Sequence, residues 1–283
     1  MTGTHFALTS RGVLRVSGPD ATSFLNGLLS QDVTKAGPSE AVYAALLTPQ
    51  GKYLFDLFVL SPQADVYLLD APRPADCLKR LGLYRLRSQV TIEDVSGELK
   101  VFASLEGEGA FADGYMFADP RLPSLGQRRI APQSHNWADA SGEAHHHAAC
   151  RALGVPDPST DLVIEADFAL EGLFDELGGI DFHKGCYVGQ EMTSRMKRRG
   201  KVRQKLCRVE LGCAELPFGT PILAGDWEVG QLRTSGGGIG LAMIRFDRVA
   251  EAQAKGEPLL AGGHIVAVTP PDWLILPDLN PAP

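Results

Sequence analysis

The chain has 283 residues, a formal net charge of -7, 44% hydrophobic and 22% charged residues. It is long enough to bury more than one core and ordinary in composition for a globular protein. The acidic balance argues against general nucleic-acid binding, and no apolar run approaches the roughly 18–20 residues that span a bilayer.

In chain order, Val13–Val16 reads as a strand, Gly18-Pro19-Asp20 as a turn with Asp20 as N-cap, and the next segment as an amphipathic helix. Its apolar positions Ala21, Phe24, Leu25, Leu28 and Leu29 share one face. Tyr43–Leu47 and Tyr53–Leu60 are strands joined by the turn Thr48-Pro49-Gln50-Gly51. Alternation along the second puts Asp56 on an otherwise apolar face with Leu54, Phe58 and Leu60. A strand at Val66–Leu69, a helix at Ala75–Arg85 with Leu78, Leu81 and Gly82 inward, and strands at Val90–Ile92 and Leu99–Leu105 complete an α+β lobe. Asp119–Gln133, rich in Pro, Gly and Arg, reads as a connector, and residues 144–153 as a short helix closed by Gly154. After Gly200, short apolar strands (Leu206–Leu211, Ile222–Leu223, Trp227–Leu232, Ile239–Met243, Ile265–Val268) alternate with Gly- and Pro-rich turns, the texture of a small antiparallel barrel. The tail Pro277–Pro283 has nothing to bury.

The five cysteines (Cys77, Cys150, Cys186, Cys207, Cys213) form no Cys-x-x-Cys pair, so neither a disulfide framework nor a structural metal site is expected. His145-His146-His147 lies on a helix, where consecutive side chains diverge by about 100° and cannot converge on one ion. Gly236–Gly240 leads into a strand and is a turn, not a phosphate loop. The N-terminal residues lack a secretory signal pattern, and the expectation is a cytoplasmic protein.

The densest chemistry lies at Lys184-Gly-Cys-Tyr-Val-Gly-Gln-Glu191. A helix beginning near Cys186, with Lys184 beside it, would favour the thiolate, the form that attacks electrophiles and binds metals. The alternative is a tight loop whose cysteine only packs. Glu191 and Arg195 have the spacing of a helical ion pair. Residues 195–205 carry seven cations in eleven positions, either a solvated face or an anchor for an anionic tail. Asp56 and Glu165 are the acids expected to be buried. A buried carboxylate needs donors, which a pterin edge could supply as well as a local amide or arginine.

The octapeptide, followed by Arg195, resembles the signature of the YgfZ family of folate-binding proteins. Ser17–Gly27 with Ser30–Val33, Leu46–Lys52, Arg151–Pro156, Glu165, and Leu232–Ser235 with Ile239–Ile244 follow in the family's order. The resemblance implies an α+β, three-lobed fold like that of the aminomethyltransferase (T-protein), with ferredoxin-like α+β lobes and a C-terminal antiparallel β-barrel. The implied division is 1–47 plus 119–200 for a folate-binding lobe, 48–118 for a second lobe and 201–283 for the barrel. It implies tetrahydrofolate or a derivative as cofactor, with Glu165 on the pterin and Tyr187, Gln190, Glu191 and Arg195 also in the folate site. It further implies a role in iron–sulfur cluster assembly or repair, with Cys186 as the reactive group aided by Lys184. Iron–sulfur assembly or client proteins are the implied partners of a monomer that is not a conventional enzyme. Two alternatives stand beside this reading: a folate-dependent one-carbon transferase using Asp56 as its acid, and a non-catalytic docking scaffold. Phe55 stands before Asp56 where the transferases carry a second acid, which weighs against transfer.

Overall fold

The structure, a computed structural model, describes residues 5–105, 113–133, 142–200 and 202–276. The tail Pro277–Pro283 and Lys201 of the basic run lie outside the described residues. In chain order the strands are β1 (His5–Ala7), β2 (Arg11–Ser17), β3 (Val42–Leu47), β4 (Tyr53–Gln63), β5 (Val66–Pro72), β6 (Thr91–Asp94), β7 (Leu99–Ser104), β8 (Tyr115–Ala118), β9 (Gln127–Pro132), β10 (Gln204–Leu211), β11 (Pro221–Ala224), β12 (Trp227–Gly236), β13 (Ile239–Arg245), β14 (Leu259–Ala261) and β15 (His264–Val268). The helices are α1 (Ala21–Leu28), α2 (Pro74–Arg85), α3 (Gly142–Ala152), α4 (Pro158–Asp161), α5 (Gln190–Arg198) and α6 (Phe246–Lys255).

The chain divides into two compact units, residues 1–146 with 177–190 and residues 147–176 with 191–283. The first unit holds a five-stranded antiparallel sheet, β3-β4-β5-β2-β6, and a four-stranded one, β1-β7-β9-β8. Ala21, Phe24, Leu25 and Leu28 of α1 and Cys77 and Leu81 of α2 pack with Phe55, Leu57 and Val59 of β4 into one core. The expected boundary at 47/48 falls in a hairpin whose strands pair from Val42↔Val59 to Leu47↔Tyr53, so residues 42–47 and 53–63 share a sheet.

Three local expectations change. Asp20 makes no N-cap bond to α1, because its carboxylate accepts the Gln89 amide at 2.7 Å. Gly82 is exposed, and Cys77 and Leu81 supply the inner face of α2. The segment 119–133 is not a bare connector: it contains β9, paired with β7 on one side and β8 on the other. Two adjacent arginines hide the apolar signal of β9, yet both Arg128 and Arg129 are buried.

Arg128 is buried because its charge is met. On the face of the five-stranded sheet opposite the helices, Arg11 Nη1 donates to Asp56 Oδ2 at 2.8 Å and Arg11 Nε to Asp70. Arg128 binds the other Asp70 oxygen, with Nε at 3.1 Å, and lies 3.6 Å from Asp119, which also takes Arg121 at 2.8 Å. The Arg128 guanidinium sits 3.9 Å from the centroid of the Phe58 ring, a cation–π contact. Burial opposes the charge on Asp119, but Arg121 and Arg128 hold its carboxyl below the ordinary carboxylate range.

In the second unit, β10 to β15 close into a barrel ordered β10-β13-β12-β11-β14-β15, all neighbours antiparallel, with closure at Val209↔Val268. Leu206, Val209, Ile222, Val229, Leu232, Leu241 and Ile244 are fully buried. Gly237 and Gly238, at φ 63° and 81°, form the two-residue hairpin loop between β12 and β13, a turn in which both central residues need positive φ. Among the described residues no helix is long and apolar enough to cross a membrane.

Candidate functional site: an anchored cysteine loop

The octapeptide is a loop, and α5 begins only at Gln190. Cys186 therefore lies outside the helix and does not gain the helix-terminal field expected for it. The loop is nevertheless held firmly within the first unit. Lys184 Nζ donates to the carbonyls of Asn26 (2.9 Å), Leu29 (2.7 Å) and Gln31 (2.8 Å), at and just beyond the C-terminal end of α1. A helix leaves its last carbonyls without intrahelical partners, and a lysine ammonium, with three donors and no acceptor, satisfies them. Lys184 is thus a positioning residue; its protons are committed to carbonyls rather than to the thiol. Burial pushes its ammonium down to about 8, with Asp32 and Asp181 opposing.

Asp181 fixes the entry to the loop. One of its oxygens accepts the amides of His183 (2.7 Å) and Lys184 (3.1 Å), the other Lys35 Nζ at 2.7 Å. Ser30 Oγ donates to the Gly179 carbonyl at 2.5 Å and accepts the Ala45 amide at 2.7 Å. On the far side, Tyr187 is buried with Lys184 Nζ 5.3 Å from its ring centroid, and the Val188 amide donates to the Gly27 carbonyl at 3.2 Å. Gly189, at φ 86°, passes so close to the β3–β4 turn that a Cβ there would lie 2.7 Å from the Thr48 carbonyl oxygen. Glycine is required at that point on both counts.

Between these anchors Gly185 and Cys186 face solvent. Cys77, Cys150 and Cys207 are buried and Cys213 is half-buried, whereas Cys186 is exposed. Burial pushes the Cys77 and Cys207 thiols up to about 12, which leaves them protonated and inert.

The other predicted residues do not join this loop as expected. Asp56 is buried, as expected, but Arg11 and the Tyr53 hydroxyl (3.1 Å) occupy its oxygens. It belongs to the ion network, where its charge is already matched. Glu165 is exposed at φ 60°, a correction to its expected burial; the apolar Val163 and Ile164 before it are exposed too. Among the described residues of the second unit, Asp161 and Asp167 are buried acids, the latter gripped by Arg233 at 3.2 Å. Gln190 and Tyr187 belong to the first unit, Glu165, Glu191 and Arg195 to the second. Glu191 and Arg195 are exposed, and no ion pair joins them among the described residues, whereas Lys197 of α5 pairs with Asp175. His145 packs on the Phe6 ring at 5.4 Å and His147 lies 3.4 Å from Asp157, in keeping with divergent rather than convergent histidines.

Asp161 escaped the sequence reading because nothing local marks it. It lines a cavity of about 110 Å³ with His147, Cys150, Arg151, Asp157 and Thr234. Thr234 Oγ1 donates to it at 2.5 Å and the Asp157 amide at 2.8 Å. Burial pushes its carboxyl up to about 7 from 3.8. Between those values the folded chain keeps a proton that the unfolded chain has lost, so stability falls as pH rises through that window. Asp161→Asn is expected to remove this slope: between pH 5 and 8 the wild type should lose about 2 kcal/mol relative to the variant in urea unfolding. Equal slopes in the two proteins would reject the assignment.

A family model described as CAF17, C-terminal beta-barrel domain, matches residues 193–275, the barrel and the helix before it. The iron-sulfur cluster assembly factor IBA57, mitochondrial, of Homo sapiens is 31% identical over 95% of this chain and 84% of its own. The Mus musculus protein of the same name is 30% identical over 95% and 85%. The Neurospora crassa homolog is 30% identical over 70% of this chain, which spans about half (52%) of that longer relative. The crystal structure of the glycine cleavage system aminomethyltransferase T from Bartonella henselae superposes with a TM-score of 0.73 over 95% of this chain and 86% of that one, at 14% identity. That likeness establishes the expected fold, α+β with a C-terminal barrel, and says nothing of activity. The expectation of a cytoplasmic protein is overturned: these IBA57 relatives are mitochondrial by name. Composition and a missing secretory pattern do not distinguish one aqueous compartment from another, so they could not carry that expectation. The YgfZ resemblance is met at the level of the shared fold and the iron–sulfur connection, and the identity over nearly the whole length is to the mitochondrial factor. The chain belongs to the family of the iron-sulfur cluster assembly factor IBA57.

Proposed function

We propose that this protein supports iron–sulfur cluster assembly by offering the Cys186 thiolate as a ligand to a cluster or iron ion in transit. The observation that carries the reading is an exposed thiol on a loop immobilised at Lys184, Tyr187 and Gly189. Thiolate sulfur is the ligand that iron–sulfur clusters take, and a presented, pre-oriented ligand loses little freedom on binding. Among the described residues no three His, Cys, Asp or Glu side chains gather as a metal site. One cysteine supplies one of the four thiolates that a cluster ordinarily takes, so the remaining ligands belong to the donor or client protein. The cluster is therefore cargo, shared at a protein–protein contact. The test is complementation: expressed in cells lacking their own member of this family, the chain should restore the activity of cluster-dependent enzymes. Failure at normal protein levels would overturn the reading.

Tetrahydrofolate or a derivative is a separate proposal, supported by the resemblance of the octapeptide and the flanking blocks. The exposed Glu165 does not fit the part assigned to it, since an acid that grips an aminopyrimidine edge gains most when shielded from water. Calorimetric titration with tetrahydrofolate, wild type beside Glu165→Ala, should show micromolar binding if the ligand is right. The exposure of Glu165 predicts less than a threefold change in the variant. Absence of heat with the wild type would remove folate from the account. The transferase alternative loses support because Asp56 is committed to Arg11 and Tyr53.

A further inference from the structure

α2 ends in a conformation that leucine adopts only under strain. The Ser88 amide donates to the Arg85 carbonyl at 2.8 Å, closing a four-residue turn with Leu86 in its second position. Leu86 has φ 41° and ψ -109°, close to the first central position of a type II′ turn, where glycine is the usual occupant. The strain is not recovered inside the fold, because Leu86 is 88% exposed. Leu83, in the last turn of α2, is 62% exposed. Neither is a displaced core residue: the buried face of α2 is already complete with Cys77 and Leu81, and Leu78 and Tyr84 pack at its margin.

Charge gathers at the same place. Lys79, Arg80, Arg85 and Arg87 fall within nine residues, and no acid lies between Asp76 and Glu93, in a chain of net charge -7. Lys79, Arg85 and Arg87 are exposed. An open groove beside the turn is lined by Asp20, Tyr84, Leu86, Arg87 and Ser88. Its one acid, Asp20, is engaged by the Gln89 amide.

We propose that the C-terminal end of α2 and its turn form a docking surface for an acidic protein segment bearing an exposed apolar side chain, with Leu86 and Leu83 as the apolar contacts and Lys79, Arg85 and Arg87 as the steering charges. Strained residues cluster at functional and ligand-contacting sites, which is consistent with a contact role for a strained leucine left facing solvent. Sparse leucines among arginines, beside a groove, suit a protein partner. A bilayer-bound helix would need a broad apolar face turned outward, and the apolar face of α2 is buried. The inference is independent of the role of Cys186.

The test uses the full chain and a synthetic helical peptide carrying glutamates with leucines at helical spacing. Fluorescence anisotropy should show salt-sensitive binding, weakened at least tenfold by the double variant Lys79→Glu/Arg87→Glu and at least threefold by Leu86→Gly. Because Leu86→Gly relieves strain, its thermal midpoint should rise by about 2–4 °C, so the lost binding could not be blamed on misfolding. The peptide with leucines replaced by serine should bind more weakly, and the peptide with lysine in place of glutamate should not bind. No binding of the acidic peptide, or binding indifferent to both variants, would overturn the proposal. A fall in midpoint for Leu86→Gly would remove the strain argument and overturn it as well. Binding to vesicles of 30% phosphatidylserine without binding to the peptide would assign the surface to a membrane instead.

Discussion

Cys186→Ala is expected to abolish the support of cluster-dependent enzymes, at least a tenfold loss to the level of cells with no family member, while the protein stays folded. The side chain is exposed, and among the described residues no hydrogen bond runs through its sulfur. Surface substitutions of this kind usually alter stability by no more than about 0.5 kcal/mol. Lys184→Met provides the contrast. It strips the carbonyls of Asn26, Leu29 and Gln31 of their shared donor. Losing charge-assisted bonds of this type, partly open to solvent, should cost about 1–2 kcal/mol and release the loop. Lys184→Arg should not restore function, because a rigid planar fork cannot meet three converging carbonyls as a rotating ammonium does. A thiol-ligand role thus predicts loss of function without loss of stability at position 186, and loss of both at position 184. Full complementation by Cys186→Ala would disprove the ligand role. A fall in thermal midpoint matching that of Lys184→Met would recast the cysteine as a packing residue.

The largest stability effect is expected at Asp70. Its side chain is fully buried and serves two arginines at once, Arg11 through one oxygen and Arg128 through the other. Asp70→Ala leaves both guanidinium groups buried with their charge partly unmet. Breaking a buried pair on one side costs about 3–5 kcal/mol, far more than the pair gains over an apolar filling. A typical domain is stable by only about 5–15 kcal/mol, so the first unit should unfold at much lower urea. Asp70→Asn keeps the shape and one acceptor and should recover part of the loss. Urea unfolding monitored by intrinsic fluorescence reads the difference; a shift equivalent to less than about 1 kcal/mol would show that Arg11 and Arg128 find other partners on relaxation. The network also carries a pH signature. Asp119 has a depressed folded value, so its contribution is present above the unfolded value near 3.8 and disappears only as pH falls through the folded one. The first unit should therefore resist mild acid.

Much of this molecule is legible in the amino-acid order because it rests on local period and local chemistry. The face of α1, the two-sided burial of β4 and the strand–turn texture of the barrel follow from spacings of 3.6 and 2 residues, which any chain with those side chains must express. The octapeptide stands out by its composition, although that the glycine at 189 is needed for a close approach to the β3–β4 turn shows only in the packed chain. The destination of each charge could not be read the same way. Whether Lys184 turns to a thiol or to carbonyls some 155 residues earlier depends on where α1 ends in space. Whether Arg128 marks a connector or a buried strand depends on Asp70, 58 residues away. Asp161, Glu165 and Leu86 differ in burial for reasons no window of sequence contains. A charge or an unpaired carbonyl is satisfied by whichever partner the packed chain delivers, and that delivery is a property of the tertiary structure alone.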